Sequence, residues 1–180
     1  MTPFDALANL LIYPDQLMEP RARACVQTLR VGSEGLAPNH AAADAVQRFA
    51  DIIGGRSLAE LQEEYTSVFD LGAACALELG WHLFGETCDR GGFLAVLRED
   101  LQRAGIEERA GLPDHMSHVL ALVARETPER AAALAGLVAP AIVSVHDALA
   151  TRDTPYVHLL EAADALLGPL SGRNAPEGTA

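Results

Sequence analysis

Between Glu64 and Gly92 the chain gathers the side chains best suited to chemistry: Glu78, His82 and Glu86, Cys75 and Cys88, and its only tryptophan, Trp81. Glu78, His82 and Glu86 recur every four residues, which on a helix places two carboxylates and an imidazole on one face. Such a set could hold a metal, and His115 and His118, three apart, could add to it. Di-iron bundles, however, use paired Glu-x-x-His turns, and the sequence contains none. Gly85 also argues against a helix that continues to Glu86. The simpler reading of Glu78 and His82 is a local i,i+4 pair contributing roughly 0.2–0.5 kcal/mol. His40, His146 and His158 read as helix-surface or boundary residues.

Other chemistries find less support. All 13 basic residues are arginine and there is no lysine, which removes a P-loop lysine, a Schiff-base lysine and a lysine general base together. GxGxxG, GxSxG, HExxH and EF-hand patterns are missing. The sequence therefore reads as a non-enzyme, and no motif asks for a cofactor. A net charge of -12 repels phosphate backbones and attracts basic peptides, so nucleic acid is an unsuitable partner. Cys25, Cys75 and Cys88 are an odd number with no CxxC pair, which points to reduced thiols rather than a disulfide framework or a zinc site. The N-terminus lacks an export signal's charged region and cleavage site. The apolar run Ala131–Val145 is too short to span a bilayer and carries Pro140. The expectation is a cytoplasmic protein without membrane insertion.

The elements that must position these residues are helices, about nine of them, in one compact all-α array covering residues 1–170, with a disordered tail over 171–180. Phe4, Leu7, Leu10 and Leu11 make the first apolar stripe, and Glu19 to Val31 the second helix. Asn39 caps a third, which Gly54-Gly55 stops. Ser57 and Glu60 form a capping box for a fourth, with Leu58, Leu61, Tyr65, Val68 and Phe69 on one face. A fifth helix after Gly72 would align Ala74, Leu77, Trp81 and Phe84. The sixth is expected from Phe93 to Ala104, and the seventh from Pro113-Asp114 to about Glu126. Thr127-Pro128 and Thr154-Pro155 are start signals for the last two. In the seventh, a first-turn Asp114 would suit the helix dipole, and His115 shares a side with Val119 and Leu122 as a partly buried histidine.

Five segments, in order, resemble a known family: Leu11-Ile-Tyr-Pro-Asp15, Leu61-Gln-Glu-Glu-Tyr-Thr-Ser-Val-Phe-Asp70, Cys75 to Gly92 with its Gly85-Glu-Thr-Cys-Asp-Arg-Gly91 end, Leu112-Pro-Asp-His115, and Pro155-Tyr-Val-His-Leu-Leu-Glu161. Together they look like the molybdoenzyme assembly chaperones of the nitrate reductase delta-subunit type. These belong to the redox-enzyme maturation chaperones, which also serve dimethyl sulfoxide and trimethylamine oxide reductases. The resemblance implies a chaperone that binds the N-terminal segment of an apo molybdoenzyme catalytic subunit. In the family this holds the subunit for molybdenum-cofactor and iron-sulfur insertion before membrane attachment or export.

By the same resemblance the client peptide would meet Tyr65, Val68 and Phe69, together with Asp114 and His115, while Glu78, Trp81 and His82 fall in the matching central segment. Read from the sequence alone, Tyr65, Val68 and Phe69 are equally an ordinary core stripe. Leu79-Gly-Trp-His-Leu-Phe84 departs from the more polar pattern of the nitrate reductase type, which leaves the client's identity open. Two other readings stand beside the chaperone: a helical metalloprotein using Glu78, His82 and His115, and a permanent adaptor subunit of a redox complex. The chaperone is expected as a monomer, although the loops around Gly32 and Gly105 would permit a segment-swapped dimer.

Overall fold

Several helices start where a side chain can satisfy their first amides. The computed structural model describes residues 1–33 and 35–172. Helix α1, Pro3–Ala8, opens with a capping box between Thr2 and Asp5, and α4, Leu58–Tyr65, with the Ser57–Glu60 box. Helix α3, His40–Ile53, begins at Asn39, whose Oδ1 accepts from Ala42 N at 2.9 Å while its Nδ2 donates to Ala165 O at 2.8 Å. One asparagine thus caps α3 and ties it to α9, Val157–Leu167. Helix α2, Met18–Val31, and α9 both pack on α3. The inward residues Cys25, Val26, Leu29, Val46, Phe49, Ile53, Leu159 and Leu160 are buried in one cluster.

Helix α8, Pro128–Ala150, starts on the Thr127 cap and runs through Pro140. The apolar run inside it is short, but the whole helix is long and apolar enough to cross a membrane by length and composition. That corrects the length argument made from residues 131–145. Its inner face, with Ala135, Val138, Ile142 and Val145 buried, packs on α9, on α7 (Met116–Val123) and on α5 (Leu79–Phe84), the position of a core helix. Pro140 is exposed, so the carbonyl it leaves unpaired can bond to water.

The region after Tyr65 departs from the expected regular helices. The fourth helix continues as a π-helical turn over Thr66–Asp70. The expected fifth helix does not form as one piece: a 3-10 turn occupies Ala73–Cys75, Leu77 lies in a bend, Glu78 is extended, and α5 begins only at Leu79. Long-range pairing overrides the helical period here. Leu79 N donates to Asp114 O at 2.9 Å and Met116 N to Leu77 O at 2.8 Å, so Glu78 and His115 form an antiparallel bridge. The same pairing shortens the seventh helix. α7 starts at Met116 with His115 as its N-cap, and Asp114 lies before the first turn rather than in it. Helix α6, Cys88–Arg103, starts five residues earlier than Phe93, taking Gly91 and Gly92 into its first turns. Gly85, with φ of 60°, closes α5 as its sequence position suggests. Ser171 and Gly172 form a turn after α9, and the expected disordered tail otherwise falls on residues 173–180, outside the described residues.

Candidate functional site

The bridge between residues 77–79 and 114–116 brings two distant segments of the sequence to the wall of one cavity. The cavity, about 370 Å³, is lined by Tyr13, Tyr65, Phe69, Asp70, Glu78 and His115, with Ile12, Leu77, Arg109 and Ala110. The π turn contributes to it directly, since its extra residue per turn shifts the phase of the face that begins at Leu58. Val68 and Phe69 are both buried, Phe69 reaches the cavity, and Asp70 is exposed at its rim.

Its aromatic side is a connected stack. The Tyr65 ring lies 4.8 Å from Phe69, 5.7 Å from Tyr156 and 5.5 Å from Tyr13, centroid to centroid. Its hydroxyl donates to Leu11 O at 3.0 Å. Burial, with the Asp70 and Glu78 carboxylates nearby, pushes the phenol far above its usual range. Tyr65 is therefore a neutral donor, fixed at its tip, with one edge of its ring toward the cavity.

The acidic side is unevenly compensated. Asp114 is fully buried, and its Oδ2 accepts from Gly80 N at 3.1 Å and Arg90 Nη2 at 3.3 Å. Its Oδ1 and the Arg90 Nε have no partner. A Cβ at Gly80 would stand 2.6 Å from Oδ2 and 3.0 Å from the Phe93 ring, so this approach requires glycine. The Arg90 guanidinium also lies 5.8 Å from the centroid of Trp81, within cation–π range. Glu78 is half-buried; burial raises its carboxyl above the usual range, and the Asp114 charge adds to the rise while Arg90 offsets part of it.

The two histidines of α7 are structural in their bonding. At His115, Nδ1 accepts from Ser117 N at 3.3 Å and lies 2.8 Å from Ser117 Oγ. Burial holds this imidazole down to about 3. The contact resembles a nucleophile–base pair, yet so weak a base would not activate a hydroxyl at neutral pH. At His118, Nε2 faces the amides of Arg109 and Ala110 at 3.0 and 3.2 Å, and Nδ1 faces Leu112 O at 2.9 Å. Amides only donate and carbonyls only accept, so the neutral Nδ1–H tautomer is fixed. This ring holds the 109–112 loop, which separates the cavity from a second one of about 670 Å³ near Asp5, Arg21 and Arg125.

Of the eight residues named from the sequence, Tyr65, Phe69, Glu78 and His115 meet at the cavity. Asp114 stands behind it, and Val68 is in the core. Trp81 and His82 are on α5, half-buried; His82 Nε2 donates to Ala76 O at 2.8 Å. The acid and the two histidines of the metal reading are not brought together as a ligand set: among the described residues no group of three His, Cys, Asp or Glu side chains could hold a metal. Cys25 and Cys75 are buried and Cys88 exposed, all free, and burial pushes the Cys25 thiol up to about 12.

Sequence reasoning missed Tyr13, Asp70, Gly80, Arg90 and Tyr156. All five lie within the segments that carried the family resemblance, which was the available signal. Arg90 sits in the quoted Gly85–Gly91 end, but nothing local gives its partner, which is 24 residues away.

With this geometry in place the comparison with known families is specific. The nitrate reductase delta subunit family matches residues 37–161, and the chain belongs to that family. Membership fits an assembly-chaperone role toward a nitrate reductase catalytic subunit, and it covers the Tyr65–His118 region entirely. No curated protein matches the chain.

Proposed function

We propose that this protein is a cytoplasmic chaperone that binds the N-terminal segment of an apo molybdoenzyme catalytic subunit, nitrate reductase or a relative. It would hold that subunit until molybdenum cofactor and iron-sulfur cluster are in place, before membrane attachment or export. The observation that carries this reading is the cavity joining an aromatic stack to carboxylates, Tyr13, Tyr65 and Phe69 beside Asp70 and Glu78, with Arg109 also in its lining. Such a lining suits an amphipathic basic peptide: its apolar side chains meet the rings and its cations meet the acids. The net charge of -12 favours the encounter at a distance.

In this reading Tyr65 and Phe69 serve core and groove together, Glu78 receives a cation, and Asp114 and His115 fix the wall that presents them. Trp81 and His82 act through α5, and Val68 through the core beneath Phe69. The chain breaks no bond and needs no cofactor. Titration calorimetry of the full chain with a synthetic N-terminal peptide of the neighbouring molybdoenzyme subunit is the test. Tyr65→Ala is expected to cost about 2 kcal/mol of affinity, as aromatic anchors do. Absence of binding heat, together with no competition by the intact apo subunit, would exclude the reading. Persistence in the mature, cofactor-loaded enzyme would favour a permanent adaptor.

A further inference from the structure

Helix α8 buries one side and leaves the other open. Ala133, Gly136, Leu137, Pro140, Val143 and Ser144 are all exposed, and at about 100° per residue they fall within about 60° of Pro140 on either side, one strip along the helix. Leu137 and Val143 are 46% and 41% exposed, and no ionisable residue occurs from Ala131 to Val145. Charged side chains stand only at the two ends, Glu129 and Arg130 at one and Asp147, beside His146, at the other.

Charge narrows what can cover this strip. The chain carries a net charge of -12, so two copies repel over most of their surfaces, and here they can meet without opposing carboxylates. The strip offers little to a bilayer. Helices that lie on anionic lipid are rich in Lys and Arg on their polar side, whereas Arg130, the only arginine of α8, already holds Asp100 and Glu126.

The strip is also complementary to itself. Leu137 and Val143 are three residues to either side of Pro140, on opposite flanks; Gly136 and Ser144 are four residues to either side, with the flanks reversed. In an antiparallel pair crossing at Pro140, Leu137 of one copy therefore stands over Ser144 of the other, and Val143 over Gly136. Large side chains meet small ones. Nothing lies within 4 Å of where a Cβ on Gly136 would be, so that position is open to the Val143 methyl groups. A parallel pair would instead set Asp147 beside Asp147 and align the two helix dipoles.

We propose that the outer face of α8 is the seam of a two-fold dimer of this chain, with the two α8 helices antiparallel and crossing at Pro140. At a rise of 1.5 Å per residue the seam is only about 20 Å long, too short to bury the ~1,600 Å² of a standard interface. The dimer is accordingly weak. None of the residues lining the Tyr65–His115 cavity belongs to α8, so both copies keep that cavity open, and the pairing does not depend on the client reading.

Sedimentation equilibrium of the full chain from about 5 to 500 µM is the test, a range suited to a small interface. The chain is expected to be monomeric at the low end and largely dimeric at the high end, with association strengthening as salt screens the net charge. Leu137→Glu, at an exposed position, is expected to weaken association about tenfold or more, since it sets a carboxylate into an apolar seam. Should that variant fail to fold, Ser144→Glu makes the same test. Leu137→Arg and Ser144→Glu are each expected to be monomeric alone and to pair when mixed, because the antiparallel crossing brings those two positions together. A chain that stays monomeric at the highest concentration overturns the proposal. So does association indifferent to Leu137→Glu, which would place the contact elsewhere, and failure of the mixed variants to pair overturns the crossing. Binding of the unchanged chain to phosphatidylglycerol–phosphatidylethanolamine vesicles, lost in Leu137→Glu, would assign the strip to lipid instead.

Discussion

In the α2–α3–α9 layer the inward side chains are apolar throughout, from Cys25 and Leu29 to Phe49 and Leu160, and the polar ties lie at its edge, Asn39 to Ala165 O and Arg48 to Glu161 and His158. In the run Asp114–His118 the opposite holds: four of the five buried polar residues among those described stand there together. The layer draws its stability from burial, which is non-directional and tolerant of small shifts. The run depends on directional bonds whose partners lie far off in sequence at Gly80 and Arg90 and close by in the 109–112 loop. A region of the second kind is expensive to keep and easily perturbed, which is the behaviour required of a surface that must respond to a partner.

The widest separation between the two regions should come from Phe49→Ala. Removing this fully buried ring from the layer is expected to lower stability by about 3–5 kcal/mol, read by urea unfolding, while peptide affinity per folded molecule stays unchanged. Asp114→Ala should cost about 3 kcal/mol, because it strands the half-buried Arg90 charge. Adding Arg90→Met to it should return part of that loss. If the double variant is as unstable as the sum of the two single ones, the two side chains do not act as one unit.

A smaller effect should appear with pH. His115 is held down to about 3 against its ordinary 6.5, so below 6.5 the unfolded chain takes up a proton that the folded one refuses. Stability is therefore complete above pH 6.5 and falls as pH drops toward 3, with a slope of at most about 1.4 kcal/mol per unit. Glu78 opposes this, since its raised carboxyl protonates more readily in the folded state, above its ordinary 4.5. His115→Asn keeps an acceptor for Ser117 N but cannot titrate, and should flatten the profile between pH 6.5 and 5. An unchanged slope there would assign the acid sensitivity elsewhere. The smallest effect belongs to the regular layer: Asn39→Ala should cost about 1–2 kcal/mol, at every pH alike.

The layer was also the part most open to reading from sequence. Asn39, Ser57 and Thr127 announce their helices because a cap and the amides it serves are neighbours in the chain. Periodicity failed from Gly72 to Glu78 and again at Pro113–His115 for a complementary reason. Leu77, Trp81 and Phe84 have helical spacing, but Leu77 and Leu79 bond to Met116 and Asp114, and a period measured within one segment cannot register a partner in another. Glu78 and His115 were singled out by residue type and family resemblance, yet only the bridge places them side by side. The buried state of Asp114 was likewise hidden, because a carboxylate near a helix start ordinarily faces solvent, and this one is covered by Arg90.

The π turn at Thr66–Asp70 makes the chain sensitive to length at one point. Its i→i+5 bond, Leu71 N to Thr66 O at 3.1 Å, accommodates one residue more than an α turn would. Deleting one residue between Thr66 and Phe69 lets the backbone close into an ordinary α turn and changes which side chains of the segment face the cavity. Within this segment substitutions should be tolerated far better than deletions, and a scan of single-residue deletions along α4 and beyond should show its sharpest loss of client binding there.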